Sequence, residues 1–197
     1  DQEKLFDKKA KFSWDEIYSQ ILPYFKNSSS PIDQVFLADI NGKLLYNWMP
    51  LNQSFHSYFK INAVTPLLSD NLIKIATHLP NKQKYNQIKN IGKIPLREIL
   101  SKQIEPGLMS SKKQGFSVNT INLWKSHGKE LCKYYLDNAR IIEDGWINQE
   151  WVENNFKKLD IDIDVRYVNK FLGLLAFEIW YRLFVTKEMN ENTTLKI

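Results

Sequence analysis

The sequence predicts a mainly α-helical, irregular multi-helix domain. Apolar residues recur at helical spacing in most segments of the 197-residue chain, and Val168 to Phe184 is apolar on nearly every side, which is typical of a core helix. Prolines and glycines separate these segments at irregular intervals, so the connections do not fit a simple bundle. Strand-like alternation occurs at Leu159 to Val165, which we interpret as a short strand or a loop. With 43% hydrophobic residues the chain can bury a core, and its length indicates one domain, with or without a small appendage.

The first two predicted helices carry start signals. Ser13 is expected to cap a helix with Glu16 at the capping-box position, and the apolar stripe continues to Phe25. Pro23 falls inside this stripe and predicts a kink or an early end. Ser30-Pro31 predicts the cap and the first residue of the second helix.

Turn and proline signals divide the middle of the chain. Asn41-Gly42 predicts a turn or a helix stop, and Pro50 divides the aromatic-rich stretch Leu44 to Phe59 into two short helical pieces. The following segments are expected to be an extended Ile61 to Pro66, a helix from Ser69 or Asp70 to Leu79-Pro80, a loop or short hairpin at Asn81 to Asn90, and a helix introduced by Gly92 to Pro95.

The last third of the chain is predicted to supply the core. Asn119-Thr120 begins a segment whose apolar anchor is Leu123 with Trp124, and two helices follow at Glu130 to Arg140 and Asn148 to about Phe156. They precede the apolar helix that begins at Val168, and a polar tail follows it.

The charge and the rare residue types restrict the chemistry. A formal net charge of +5 and a pI near 9.1 favour anionic partners such as a nucleotide, pyrophosphate or nucleic acid. Cys132 is the single cysteine, so it forms no intrachain disulfide; we expect it buried on a helix in a protein of the reducing cytoplasm. His56, His78 and His127 lie far apart without a partner at i+4, so we predict no metal site.

No apolar run reaches transmembrane length, and the polar start of the chain is not a signal peptide. We therefore expect a cytoplasmic protein. Because the sequence begins without methionine, we also expect it to be a piece of a longer protein.

The loop Ser110 to Val118 is the strongest candidate for chemistry. Lys112 and Lys113 stand beside Gly115, which allows a close backbone approach, and compact ammonium groups on a loop suit a phosphate-bearing ligand. The alternative is a solvated basic connection between helices.

An ordered series of motifs surrounds this loop. A helix ending in Leu79-Pro80 is followed by Gly92 to Leu100, which fits the pattern K-x-x-L-R-x-x-L, then by Lys113-Gln114-Gly115-Phe116, Trp124 and Glu178-Ile179-Trp180. The series resembles the C-terminal part of the synthase domain of glutamine-hydrolysing asparagine synthetase, in the ATP-pyrophosphatase family of amide-forming synthetases. The resemblance implies the helical C-terminal half of an α/β adenylating domain. It covers residues 61–184, preceded by an N-terminal helical segment (1–60) with little or no match and followed by a polar tail (185–197).

The resemblance implies an enzyme that uses ATP and Mg²⁺ to adenylate a carboxylate, that of aspartate in the family, before ammonia displaces AMP. The lysine of the Lys-Gln-Gly-Phe segment corresponds to Lys113, whose charge would stabilise phosphate oxygens in the transition state. Gln114, Gly115 and Ser117 would add backbone N–H donors.

Three further positions are assigned to the vicinity of the substrate or nucleotide. Lys93 and Arg97 are secondary phosphate candidates, with a helix-face ion pair as the alternative for Arg97. Asn62 stands where the family has an acidic residue, and Val64 where it has an arginine. An amide cannot act as a general base but can orient a substrate.

The family's Ser-Gly-Gly-x-Asp-Ser pyrophosphatase loop is absent, since no two glycines of the chain are adjacent. The cysteine nucleophile for glutamine hydrolysis is absent as well. We therefore expect this chain to be inactive alone and to need ATP-pyrophosphatase and glutaminase regions in cis or in trans.

Two other functions remain open. The first is a non-catalytic, divergent helical binding module of the same fold, with the aromatic stretch from Tyr46 to Phe59 as a docking face or as half-buried packing. The second is nucleic-acid binding through the basic stretch Lys82 to Lys93 and Lys112-Lys113, which we expect to be the weakest, because few stacking aromatics accompany these lysines.

Overall fold

The computed structural model describes residues 2–26, 30–104 and 119–196. The protein is mainly α-helical, as predicted, and its one sheet in these ranges has two strands. The chain divides into two compact units. We call Trp14–Lys113 the continuous unit, and Asp1–Ser13 together with Gln114–Ile197 the discontinuous unit.

The continuous unit contains six α-helices and a hairpin among its described residues. The elements, in chain order, are α2 (Trp14–Lys26), α3 (Pro31–Ala38), a π-helical segment (Asp39–Trp48), α4 (Met49–Tyr58), a 3₁₀ turn (Pro66–Leu68), α5 (Asp70–His78), α6 (Asn81–Lys84), β1 (Tyr85–Asn86), β2 (Ile91–Gly92) and α7 (Ile94–Gln103).

The turn predicted at Asn41-Gly42 is wrong. The backbone stays helical there, because α3 passes through the π-helical segment directly into α4. The Asn41 side chain donates its Nδ2 hydrogen to the carbonyl oxygen of Leu37, four residues earlier, at 2.9 Å. Asn41 is thus bonded within the helix, not in a turn. Pro23 likewise lies inside α2 without ending it.

Several predicted boundaries of this unit are confirmed. Ser30 is the N-cap residue of α3 and Pro31 its first residue. Helix α5 begins after Ser69 and ends at His78, with Leu79 as its C-cap residue, and a short hairpin forms within the basic stretch.

The continuous unit leaves most of its apolar side chains exposed to solvent. None of its residues within 14–26 and 30–104 is buried. Val64 is 82% exposed, Tyr58 81% and Tyr46 78%. The amphipathic helices of this unit therefore present large apolar surfaces that are not covered by the described part of the chain.

The discontinuous unit contains the core. Its elements are α1 (Gln2–Leu5), α8 (Thr120–Leu123), a second π-helical segment (Trp124–Gly128), α9 (Lys129–Asp137), α10 (Arg140–Glu143), α11 (Gln149–Ile161) and α12 (Val165–Phe184). Within the described residues, no helix is both long enough and apolar enough to cross a membrane.

Helix α12 is the centre of this core, as its sequence predicts. It buries Val168, Phe171, Leu174 and Leu175, and α9 packs against it. The ring of Phe171 lies 5.8 Å from that of Trp151 on α11. Burying an aliphatic or aromatic side chain of this size contributes about 1.5–3 kcal/mol.

The strand or loop predicted for Leu159 to Val165 is mostly helical. Leu159 and Ile161 belong to α11, and α12 begins at Val165 after a short connection. Leu159 is buried because it continues the helical stripe of Val152 and Asn155, and this packing outweighs the local alternation.

The N-terminal residues are part of the discontinuous unit. Leu5 is buried, and its carbonyl oxygen accepts a hydrogen bond from the N–H of Asn148 at 2.9 Å. Phe6 forms an antiparallel bridge with Ile147. The chain thus starts in this unit, passes through the continuous unit and then returns.

The turn after α10 requires glycine. Gly145 has a φ of +76°. Its N–H donates to the carbonyl oxygen of Ile142, and its carbonyl oxygen accepts the N–H of Lys9. We expect Gly145→Ala to destabilise the protein by about 1–2 kcal/mol in denaturant unfolding, because a Cβ atom is strained in this conformation. Gly173→Ala is the matched control: no atom lies within 4 Å of the added Cβ on α12, so it should stabilise by about 0.5–1 kcal/mol. Equal effects of the two changes would contradict this account.

Candidate functional site

Four of the predicted site residues lie outside the described residues. They are Lys113, Gln114, Gly115 and Ser117, together with the remainder of the Ser110 to Val118 loop. The other three, Asn62, Lys93 and Arg97, are described and belong to the continuous unit.

Lys93 and Arg97 lie together where the hairpin enters α7. The hairpin pairs Tyr85 with Gly92, and Lys93 follows as the N-cap residue of α7. Lys93 is left-handed, with φ 58° and ψ 37°, a conformation that costs a residue with a side chain about 1–2 kcal/mol. The N–H of Arg97 donates to the carbonyl oxygen of Lys93 at 3.0 Å, so the two residues share one helical turn.

The Arg97 side chain is held by the backbone of the hairpin. Its Nε–H donates to the carbonyl oxygen of Gly92 at 3.0 Å, and the side chain is half-buried. In the described part of the chain no carboxylate pairs with it, so the helix-face ion pair is not the arrangement found there. The two terminal nitrogens of the guanidinium group make no hydrogen bond to another described residue, and these are the atoms that bind anions bidentately.

Lys84 is a third cation beside this turn, and the sequence did not single it out. Lys84 lies immediately before β1, and Lys93 lies immediately after β2. The two lysines therefore adjoin the paired residues Tyr85 and Gly92. The Nζ of Lys84 donates to the carbonyl oxygen of Thr77 at 3.2 Å, near the C-terminal end of α5, and lies 5.9 Å from the ring centre of Phe36. A cation at a helix C-terminus is stabilising.

Asn62 lies on a different segment. Asn62 is exposed and lies in the stretch between α4 and the 3₁₀ turn. At the start of this stretch the N–H of Ile61 donates to the carbonyl oxygen of His56 at 2.8 Å. No hydrogen bond joins the Asn62 side chain to another described residue. The structure thus brings Lys93 and Arg97 together and gives no contact between them and Asn62.

The described residues fit part of an ATP–Mg²⁺ site. Lys93 and Arg97 provide positive charge for phosphate oxygens. The same ranges contain no group of three or more His, Cys, Asp and Glu side chains that could hold a metal ion. Of the groups in such a site, the phosphates are the ones to which the charges of Lys93 and Arg97 are complementary.

The discontinuous unit contains a buried carboxylate that the sequence reasoning did not assign. Glu178 is 0% exposed. Its two oxygens accept the N–H groups of Arg140 and Ile141, at 2.9 and 3.0 Å, at the start of α10. The Nε of Arg182 also donates to it, and Arg182 donates in turn to the carbonyl oxygen of Asn138 at 2.7 Å. This network fixes α10 on α12. The signal in the sequence that could have indicated it is a glutamate with an arginine four residues later in an otherwise apolar helix.

Trp124 anchors the segment that follows residues 105–118. It is 2% exposed, and its ring lies 5.6 Å from that of Phe156 and 6.0 Å from that of Phe171. Just before it, Asn119 caps α8 by accepting the N–H of Asn122 at 3.0 Å. The predicted start at Asn119-Thr120 is confirmed. Of the two residues predicted to form the apolar anchor, Trp124 is buried, whereas Leu123 is 44% exposed.

Cys132 is confirmed as a buried helical residue. It is 0% exposed, and burial raises the pKa of its thiol to about 12. Since the thiolate is the reactive form, we expect no alkylation by iodoacetamide at pH 8 in the native protein and full alkylation in denaturant, measured by mass spectrometry. Rapid labelling of the folded protein would contradict the burial.

Comparisons with known proteins gave one match. A family model described as "Asparagine synthase" matches residues 2–182, which includes the first 60 residues as well as the motifs around the loop. The comparison with curated proteins found no match, and neither did the comparison with solved structures.

Proposed function

The chain belongs to the asparagine synthase family, and from this membership we propose that it is the helical C-terminal portion of an enzyme that adenylates a carboxylate with ATP for amide formation. Aspartate is the substrate in the family and the first acceptor to test. The observation that carries the proposal is the family match over nearly the whole chain.

Lys113 has the central role in this proposal. When bound, ATP would supply the AMP group that activates the carboxylate, with pyrophosphate as the leaving group. Lys113 would place a positive charge against the phosphate oxygens, where charge increases in the transition state. Gln114, Gly115 and Ser117 would donate backbone N–H groups nearby.

Asn62, Lys93 and Arg97 would lie near the substrate or nucleotide. Lys93 and Arg97 would bind phosphate oxygens, and the bond from Arg97 to Gly92 supports this role because it orients the guanidinium group in advance. Asn62 would orient a substrate by hydrogen bonding, since it cannot be a base.

The ATP-pyrophosphatase and glutaminase regions of the family are the proposed partners, in the same polypeptide or in another. The uncovered apolar residues of the continuous unit support this proposal, because surfaces of this extent are typical of faces that pack against another domain.

Pyrophosphate exchange tests the proposed function directly. The full protein, with its natural flanking regions and partner, is incubated with ATP, Mg²⁺, aspartate and labelled pyrophosphate. Formation of labelled ATP that depends on aspartate supports carboxylate adenylation. No exchange with aspartate or with other amino-acid carboxylates would refute it.

A non-catalytic binding module of the same fold is the second candidate. The departures from the family pattern at Asn62 and Val64 favour it, since Val64 places an apolar, 82% exposed side chain where the family has arginine. Titration calorimetry with ATP and pyrophosphate separates the two candidates. Binding that is lost in Lys113→Ala supports the enzyme, and absence of nucleotide binding by the full protein supports the module.

A further inference from the structure

Helix α12 has an exposed face opposite the one that enters the core. From Tyr167 to Phe184 its exposed residues follow one another at intervals of three or four positions, which places them in one stripe along the helix. We call this set the outer stripe: Asn169, Gly173, Ala176, Trp180 and Phe184. None of its residues is charged, so an apolar partner can cover it without removing a charge from water.

The C-terminal half of the outer stripe carries two large aromatic side chains. Trp180 is 49% exposed and Phe184 is 65% exposed. The ring centroids of these two residues lie 6.1 Å apart, and the ring of Phe177 lies 6.1 Å from that of Trp180. Because these contacts order the rings before a partner arrives, covering them costs less conformational entropy than covering unrestrained side chains would. Tryptophan is also among the residues that contribute most to binding at protein interfaces.

The N-terminal half of the outer stripe is shallow. Gly173 has no side chain, and a Cβ atom placed on it would meet no neighbouring atom within 4 Å. Ala176, about one turn later, adds only a methyl group. The ring of a partner can therefore come close to the backbone of α12 at this point.

The large and small residues of the outer stripe are arranged symmetrically about a point just after Ala176. Gly173 precedes this point by as many positions as Trp180 follows it, and Asn169 and Phe184 are equidistant from it in the same way. If two copies of α12 run antiparallel about this point, Trp180 of each copy lies over Gly173 of the other, and Phe184 lies against Asn169. A two-fold axis requires a surface that is complementary to itself in this manner.

We propose that the outer stripe binds a second copy of this chain, with the two α12 helices antiparallel about a two-fold axis beside Ala176. The axis brings the Ala176 side chains of the two copies together, and their small size allows the helix axes to approach to about 8 Å. The inference goes beyond the proposed function and does not depend on carboxylate adenylation.

The outer stripe is small, so we expect a weak dimer. An aromatic side chain buries about 150–250 Å² when it is covered completely, and about half of the surface of Trp180 and Phe184 is still exposed. Four such rings and the surfaces that they cover amount to less than the about 1,200 Å² below which complexes are weak or transient. We therefore expect a dimer Kd of about 1–100 µM.

Sedimentation velocity of the full protein over a range of concentrations tests the dimer. We expect Trp180→Ala and Gly173→Leu each to raise the dimer Kd by about tenfold or more, because the first removes the ring and the second fills the surface that receives it. Leucine is a good helix former, and its Cβ atom meets no neighbouring atom at position 173, so Gly173→Leu should retain the fold. Ile161→Ala is the matched control. Ile161 is 90% exposed on α11, outside the outer stripe, and its replacement should leave the Kd unchanged.

Cysteine cross-linking tests the antiparallel orientation. In an antiparallel pair the two copies of residue 176 are adjacent, whereas the two copies of residue 169 lie about 20 Å apart, since a helix rises about 1.5 Å per residue. We expect Ala176→Cys to form a disulfide-linked dimer under mild oxidation, measured on non-reducing gels against the parent protein, and Asn169→Cys to form none. Cys132 is 0% exposed, so it does not compete in the folded protein.

Three results would overturn the proposal. The first is a full protein that sediments as a monomer at every concentration up to about 1 mM, and the second is a dimer whose Kd is the same in Trp180→Ala and Gly173→Leu as in the parent protein. The third is cross-linking of Asn169→Cys to the same extent as Ala176→Cys, which would mean a parallel pair. A cross-link from Ala176→Cys to a different polypeptide would likewise refute the second copy, because it would assign the outer stripe to another partner.

Discussion

Replacing Lys113 by alanine is expected to lower aspartate-dependent pyrophosphate exchange by about 10²–10³-fold, the loss typical of removing one group that stabilises transition-state charge. The effect should fall on kcat, with a smaller change in the KM for ATP, because the proposed contact strengthens as charge develops on the phosphate oxygens. Initial rates at several ATP concentrations in the full protein separate the two parameters.

Lys112→Ala is the matched control, since it removes the same charge from the neighbouring position, for which the family resemblance assigns no role. We expect it to retain nearly all of the exchange activity. An equal loss in both variants would mean that the loop acts through its summed charge, and unchanged exchange in Lys113→Ala would remove the role of that residue.

Replacing Glu178 by alanine is expected to destabilise the discontinuous unit by about 3–5 kcal/mol, the cost of breaking a buried ion pair by removing one partner. The change leaves the N–H groups of Arg140 and Ile141 without their acceptor, and it leaves Arg182 without its carboxylate. Urea unfolding followed by tryptophan fluorescence measures the loss, since Trp124 and Trp151 report the core.

Glu153→Ala provides the comparison for this measurement. Glu153 is exposed on α11 and accepts a hydrogen bond from Gln149 at 2.8 Å, so its removal should cost no more than about 0.5 kcal/mol. A loss below about 1 kcal/mol in Glu178→Ala would show that α10 is held on α12 by apolar packing and not by the carboxylate.

Local signals in the sequence predicted the parts of the fold that depend on neighbouring residues. Ser30, Asn119 and Asn148 are N-cap residues at predicted helix starts, and the side chains of Asn119 and Asn148 accept the capping N–H groups. The apolar pattern of α12 placed it correctly in the core. The same reasoning failed at Asn41-Gly42, because the composition that favours a turn is also tolerated in a helix when Asn41 bonds the preceding turn.

Contacts between distant residues account for what the sequence did not reveal. The pairing of Phe6 with Ile147 and the cap that Glu178 provides for α10 both join segments far apart in the chain, and no local pattern encodes such partners. The candidate site shows the same limit. A motif identified Lys93 and Arg97, but the left-handed turn at Lys93 and the bond to Gly92 depend on the hairpin that precedes them.

The pairing of the N-terminal residues with the turn after α10 has a consequence for biosynthesis. Leu5 and Phe6 are translated before the continuous unit, but Ile147 and Asn148 follow only after the whole continuous unit has been translated. Until then Leu5 and Phe6 lack their contacts with Ile147 and Asn148, and the apolar surface that these contacts cover in the native protein is available to chaperones or to aggregation. The discontinuous unit therefore completes its folding only after the continuous unit has been translated and a loop the size of a domain has been closed.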